Sequence, residues 1–294
     1  MASHTDAVSS RYDEFTDAGA TAALGGNIHV GYWDTGAEHV PMAAATDRLT
    51  DLVAERLALR PGGRVLDVGC GTGRPALRIA ETHDVHVTGI TVSPQELAGA
   101  TGLAAAAGAA DRVTFRLAHA ADLPADLGAF DAVLAIESLL HLPDQAGALS
   151  RLRRFVRPGG RLVVADLCLR GPFTGADEQV LTGMIRTLRI AGINTEQEHR
   201  AVLARAGWEL LELLDVGENV RASYGHAATA FRRVAASAPS AAAEDVLGAR
   251  VRALAGRGGQ GDAVGVAQAP ARAQRGGQAR VGRHGGALST AVAR

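Results

Sequence analysis

No lysine occurs anywhere in the 294 residues; all 30 basic side chains are arginine. That excludes a Schiff-base lysine and the lysine of a Walker-type phosphate loop. Only two cysteines are present, Cys70 and Cys168, in different segments. Neither a zinc ribbon nor a Cys-x-x-Cys redox pair can be built from them, and they read as small buried thiols in a reducing compartment. Charge of one sign is not in excess: the net value is −1, which gives no electrostatic case for a nucleic-acid partner. No apolar run is long enough to span a bilayer, and no charged-then-apolar leader opens the chain. The expectation is a soluble cytoplasmic protein with a small-molecule partner and no membrane contact. Its 47% hydrophobic content supports one large core or two modest ones.

What is present is an alternation. The strand-like runs are "RVLDVG" (64–69), "VHVTGI" (85–90), "RVTFRLA" (112–118), "FDAVLAI" (130–136), "GRLVVADL" (160–167) and "WELLELLDV" (208–216). They are continuous and apolar, as in strands covered on both faces. Helical stretches such as "PALRIAET" and "QAGALSRLRRFV" lie between them, so a parallel, doubly wound α/β sheet is expected. Ser93-Pro94-Gln95-Glu96 reads as a capping box with proline at the first helical position. Residues 1–60 hold two helical stretches around the aromatic loop "GGNIHVGYWD" and read as a helical cover placed before a domain at 61–249.

The stretch "VLDVGCGTGRPALRIA" (65–80) carries the first functional signal. Gly69, Gly71 and Gly73 follow Asp67 at alternate positions. A dinucleotide loop would read G-x-G-x-x-G, and a phosphate loop would need Gly-Lys-Ser/Thr. The glycines let a ligand approach the backbone closely. An acid closing the strand repels phosphate and suits an ammonium group, so the expected ligand has an amino-acid end.

"LDVGCGTG" resembles the first motif of class I S-adenosylmethionine-dependent methyltransferases. "NIHVGYW", "GITVS", "AIESLLH" and "VRPGG" extend the resemblance over residues 10–235. Together they are similar to a Rossmann-like, small-molecule branch related to cyclopropane-fatty-acid and sterol methyltransferases, and within it to natural-product O-methyltransferases of the rebeccamycin-sugar and rifamycin type. The resemblance implies S-adenosyl-L-methionine as cofactor. Asp67, Gly69, Gly71 and Gly73 would hold its methionine end, and His29 would help close the pocket. Thr91 ends the second strand, and Glu96 or its neighbour Gln95 would reach the ribose. At the adenine site the usual acid is replaced by His119, followed by Ala120. A neutral histidine there would accept from the adenine amine. Ile136, ending the fourth strand, completes the expected cofactor set.

For catalysis, a hydroxyl is a poor nucleophile near neutral pH and a positioned base helps by roughly 10²–10⁴-fold. Glu137 and His141 are four apart after the fourth strand. If that segment is helical they share one face at the ligand end of the sheet. Asp166 ends the fifth strand. His141 as base, with Asp166 orienting or charge-stabilising it, is the expected pair, and similar natural-product enzymes place a His and an Asp at the matching positions. His83 and His86 fall on opposite faces of a strand start with no third ligand near, so no metal is expected.

The last 45 residues, 250–294, have no glutamate and no aromatic residue, and eight arginines against one aspartate give them +7. Dense Gly, Ala and Arg fit disorder. Members of the family finish with an antiparallel strand between the fifth and sixth, and here only "DAVGVAQA" is on offer, a poor candidate. Either the chain lacks that strand or its reading frame shifts near residue 250. The expected function is O-methylation of a bulky secondary metabolite. N- or C-methylation, or an inactive cofactor-binding partner protein, are the alternatives, and a homodimer is allowed by the sequence without being required.

Overall fold

The computed structural model describes residues 3–17, 19–37, 39–237 and 260–268. Among the described residues, eight strands form one sheet: β1 (Gly63–Val68), β2 (Val85–Thr91), β3 (Val113–Leu117), β4 (Phe130–Ile136), β5 (Val156–Leu169), β6 (Asn194–Thr195), β7 (Glu209–Asp215) and β8 (Gln260–Gln268). Their order is β3-β2-β1-β4-β5-β8-β7, with the two-residue β6 paired to the end of β5. β1 to β5 run parallel. The six predicted strands are β1–β5 and β7.

The helices are α1 (His4–Asp17), α2 (Ala20–Ala23), α3 (Met42–Arg56), α4 (Arg74–Thr82), α5 (Pro94–Ala106), α6 (Gln145–Arg153), α7 (Ala176–Thr187), α8 (Glu196–Arg205), α9 (Gly217–Val220) and α10 (Ala222–Ser237). The strands read as unbroken apolar runs because both faces are covered. Val65 belongs to the same buried core as Leu49, Val53 and Ile79 of α3 and α4, while its neighbour Leu66 belongs to a second core with Leu149 and Leu152 of α6. Successive side chains of a strand point to opposite faces, so a two-sided core needs every position apolar.

Strand order reverses between β1 and β4, and in open α/β sheets the ligand crevice lies beyond the carboxyl ends of the strands at that point. Asp67, Thr91 and Ile136 all stand there. The N-terminal residues cover this crevice through α1. Ser93 on the rim accepts the Glu96 N–H and caps α5. Its hydroxyl also donates to Asp13 of α1 at 2.5 Å.

Two expectations about local structure are corrected. Residues 262–268 of "DAVGVAQA" do form a strand, as part of β8. β8 is antiparallel to both neighbours and sits between β5 and β7, in register from Arg161↔Gln268 to Leu169↔Gln260 on one side. The chain therefore has the inserted strand, and the expectation of disorder fails for 260–268; the other residues of 250–294, apart from these nine, lie outside the described residues. The segment after β4 is a single 3₁₀ turn, Leu139–His141, entered through Glu137 at φ +46, not a helix presenting a Glu137–His141 face.

Candidate active site

One cleft at the β1/β4 reversal gathers nearly all the predicted site residues: His29, Asp67, Gly69, Gly71, Thr91, Glu96, His119, Ala120, Ile136 and His141 line it. Two expected members do not. Gly73 and Asp166 lie outside the lining.

Gly73 is a packing residue. It caps α4 in the left-handed region (φ +77), and a Cβ there would stand 2.6 Å from the Phe115 ring and 2.8 Å from Ala100. Its glycine serves the close approach of the loop to β3 and α5, which is a different requirement from ligand contact. Gly71 does face the cleft, at φ +50, with open space above it bounded only by the Glu96 carboxylate, 3.9 Å from where a Cβ would stand.

The loop is not built for phosphate. The Gly69 and Cys70 N–H groups both donate to Ile90 O at 2.9 Å, and the Gly73 N–H donates to Cys70 O. Amides that a phosphate nest would aim outward are spent inside the fold. The local charge is also wrong for an anion. Asp67 is buried, and its Oδ2 has no hydrogen-bond partner among the described residues. Burial alone pushes its carboxyl up to about 7. An orphaned carboxylate oxygen at a ligand cleft is costly, and an ammonium group satisfies it.

Next along the cleft, the Thr91 hydroxyl donates to the Glu96 carboxylate at 2.6 Å, and Ser93 N–H donates to Thr91 Oγ1. The capping box is thus half made: Ser93 caps, but Glu96 turns to Thr91 and the cleft. Gln95 is exposed and donates to Asp17 on α1. Of the two residues that could have reached ribose hydroxyls, the structure presents Glu96. Its carboxyl is raised by burial and held down in part by Thr91.

His119 is corrected in its chemistry. Its Nδ1 accepts the Ala121 N–H at 3.1 Å. A neutral ring then carries its proton on Nε2, so the remaining nitrogen donates and cannot accept from an amine. Burial lowers its pKa, which favours the neutral form. His29 shows the opposite arrangement. Its Nδ1 donates to Val30 O at 2.8 Å, leaving Nε2 a bare lone pair, buried and with no partner among the described residues.

The His141–Asp166 pairing is also corrected. Both ring nitrogens of His141 are taken by other groups: Nε2 meets the Tyr12 hydroxyl at 2.8 Å, and Nδ1 meets Arg189 O at 3.2 Å. Asp166 Oδ2 accepts from the backbone N–H of Leu140 at 3.0 Å. It holds the turn that carries His141, not the ring. Desolvation lowers the His141 pKa to about 4, so the ring is neutral over the physiological range. Glu137 accepts the Val30 N–H at 2.7 Å and ties the "NIHVGYW" loop to the end of β4. The expected reading missed Tyr12 and the Arg189 carbonyl. They lie 129 and 48 residues from His141, and no local pattern links them.

Among the described residues, no cluster of three or more His, Cys, Asp or Glu is placed to hold a metal. No described helix is long and apolar enough to cross a membrane.

Comparison with known proteins agrees with this geometry. A family model described as a methyltransferase domain matches residues 59–207. O-methyltransferase resE of Aspergillus sclerotiorum is 39% identical over 214 residues, 73% of this chain and 80% of that protein. The 27-O-demethylrifamycin SV methyltransferase of Amycolatopsis mediterranei is 39% identical over 220 residues, 75% of this chain and 80% of that one. Among solved structures, the [4+2]-cyclase SpnF is 33% identical with a TM-score of 0.77, covering 90% of this chain and 95% of its own. The cyclopropane synthase MmaA2 of Mycobacterium tuberculosis shares the fold, with a TM-score of 0.80 at 18% identity, over 91% of this chain and 99% of that one.

Proposed function

The chain belongs to the S-adenosylmethionine-dependent methyltransferases, and on that premise we propose that it O-methylates a hydroxyl of a bulky natural product with His141 as general base. The observation that carries this is the neutral His141 ring in the same cleft as the glycine loop and Asp67. Of the two 39%-identical relatives, one is named for methylation on oxygen and the other for a rifamycin acceptor, which supports this reading.

When bound, the cofactor supplies a methyl group on an electrophilic sulfonium. The chain's own residues do the rest. Asp67 meets the ammonium of the methionine end, and the backbone at Gly69 and Gly71 lets that end lie close. Thr91 and Glu96 offer oxygens to the ribose hydroxyls, and Ala120 and Ile136 supply apolar surface. His119 donates from Nε2 to a ring nitrogen of the adenine. His141 takes the acceptor's hydroxyl proton on Nε2 as the oxygen becomes the nucleophile. Holding two reactants in line contributes about 7–11 kcal/mol in favourable cases, so much of the rate comes from placement. Asp166 acts on placement through Leu140.

The test is to incubate the chain with methyl-labelled S-adenosylmethionine and 27-O-demethylrifamycin SV, alongside other hydroxyl-bearing polyketides and glycosides, and to locate the label. An O-methyl product whose formation falls roughly 10²-fold in His141→Ala supports the reading. Label on nitrogen or carbon, or full activity of His141→Ala on a hydroxyl, overturns it. Cofactor binding with no label transferred to any acceptor would favour a non-methylating role, a reading given weight by the 33%-identical cyclase.

A further inference from the structure

The base proposed above is held by a residue outside the methyltransferase sheet. The Arg189 carbonyl can only accept a hydrogen bond, so its contact with Nδ1 at 3.2 Å places the proton of a neutral His141 on Nδ1. Nε2 is then the basic nitrogen, and the group it faces is the Tyr12 hydroxyl at 2.8 Å, which donates to it. The two rings stand perpendicular, centroids 5.4 Å apart, and Tyr12 packs edge-on against Phe15 at 5.9 Å.

The surroundings fix both partners. Arg189 has φ +55, a conformation a non-glycine residue rarely adopts, just past the end of α7. The Ala191 N–H donates to Leu140 O at 2.9 Å, and Asp166 takes the Leu140 N–H, so the turn of His141 is clamped on two sides. Tyr12 arrives on α1, which is anchored by Asp13 to Ser93 and by Asp17 to Gln95. His4 at the start of α1 donates to the His141 carbonyl at 2.9 Å. Tyr12 and His141 both line the cleft.

We propose that Tyr12 is a positioning residue for His141: docked α1 presents a phenol whose hydroxyl keeps the ring's basic nitrogen aimed into the cleft until an acceptor hydroxyl takes its place. The base is complete only with α1 in position. An acceptor that displaces Tyr12 meets a nitrogen already oriented, with the tautomer already set by Arg189, and the ordering cost of the ring has been met in folding. This inference rests on the reading of His141 as base.

The ligand-free, full-length chain labelled with ¹⁵N-histidine tests it without any acceptor. The His141 resonance is assigned by its loss in His141→Gln. Glu137, Glu96 and Asp166 face Tyr12, and His4 faces His141; Tyr12→Phe leaves them all in place. A donor to Nε2 stabilises the neutral ring, so its removal in Tyr12→Phe should raise the His141 titration point by roughly one unit. Asp13→Ala, which cuts an anchor of α1, should move it the same way, although removal of a negative charge by itself pulls it down. Its rise checks the inference should Tyr12→Phe not fold. An unchanged titration point in both variants overturns the inference, whatever His141→Ala does to turnover. If the titration moves as expected while His141→Ala keeps full activity, the positioning stands and the base assignment falls.

Discussion

The Asp166 carboxylate accepts the backbone N–H of Leu140 at 3.0 Å, one residue before His141. Because the carboxylate acts on the turn and not on the ring, its substitutions should separate by hydrogen-bond capacity. Asp166→Asn keeps an acceptor oxygen and should cost turnover modestly. Asp166→Ala leaves a buried N–H unsatisfied, a loss of about 1–3 kcal/mol in stability, and should lower turnover toward that of His141→Ala. Steady-state rates and thermal unfolding of the two variants check this. Equal rates in Asn and Ala variants would return Asp166 to a direct role on the histidine.

Cofactor binding should be linked to pH through Asp67. Its carboxyl rises from 3.8 to about 7 in the folded, ligand-free chain, so folding is favoured most below pH 4 by this group and that contribution is lost as pH rises toward 7. An ammonium bound beside it reverses the balance and favours the ionised form. Affinity for S-adenosylmethionine should therefore strengthen between pH 6 and 8, with proton release on binding at neutral pH. Calorimetry in buffers of different ionisation enthalpy measures that release, and Asp67→Asn should abolish it.

The glycines should divide by role. Gly71→Val places a branched side chain at φ +50 on the cleft side and should block cofactor binding. Gly73→Ala collides with Phe115 and Ala100, so its first effect should be lower stability, of order 1–3 kcal/mol. Titration calorimetry and thermal melts distinguish the two. Intact cofactor affinity in Gly71→Val would remove the loop from the ligand site.

His119 offers a tautomer test. With Nδ1 accepting from Ala121, only Nε2–H faces outward. His119→Asp can replace the acceptor for Ala121 but loses the Nε2–H donor offered to the adenine ring nitrogen, so cofactor affinity should weaken. His119→Leu loses both and should bind more weakly. Equal affinity in all three proteins would show that this side chain does not touch the adenine.

The acid limb of the rate should lie low. A histidine with an ordinary value near 6.5 would make turnover climb across pH 6–7. His141 is held to about 4 by burial, so turnover on a hydroxyl acceptor should be nearly flat from pH 6 to 8 and fall only toward pH 4. A pH–rate profile with a midpoint near 6.5 would place the proton on a more exposed group.

What the sequence by itself determined was local. Apolar runs separated by helical stretches fixed the α/β order, because strands buried on both faces leave no polar alternation to misread. Ser93-Pro94 fixed the start of α5, and Asp67 with the glycines at alternate positions marked the ligand end of β1. These signals act within a few residues, where backbone sterics and caps decide. The tertiary structure decided everything that depends on contact between distant segments. It chose Glu96 over Gln95 for the cleft, because β2 supplies Thr91 to Glu96 while α1 draws Gln95 away to Asp17. It made β8 a strand although Gly265 and Ala267 within it carry little β-propensity, because β5 and β7 provide a ladder on both sides. It also set the proton on His141, since a ring's tautomer follows from what its two nitrogens face, and those partners, Tyr12 and Arg189, come together with it only when the chain has folded.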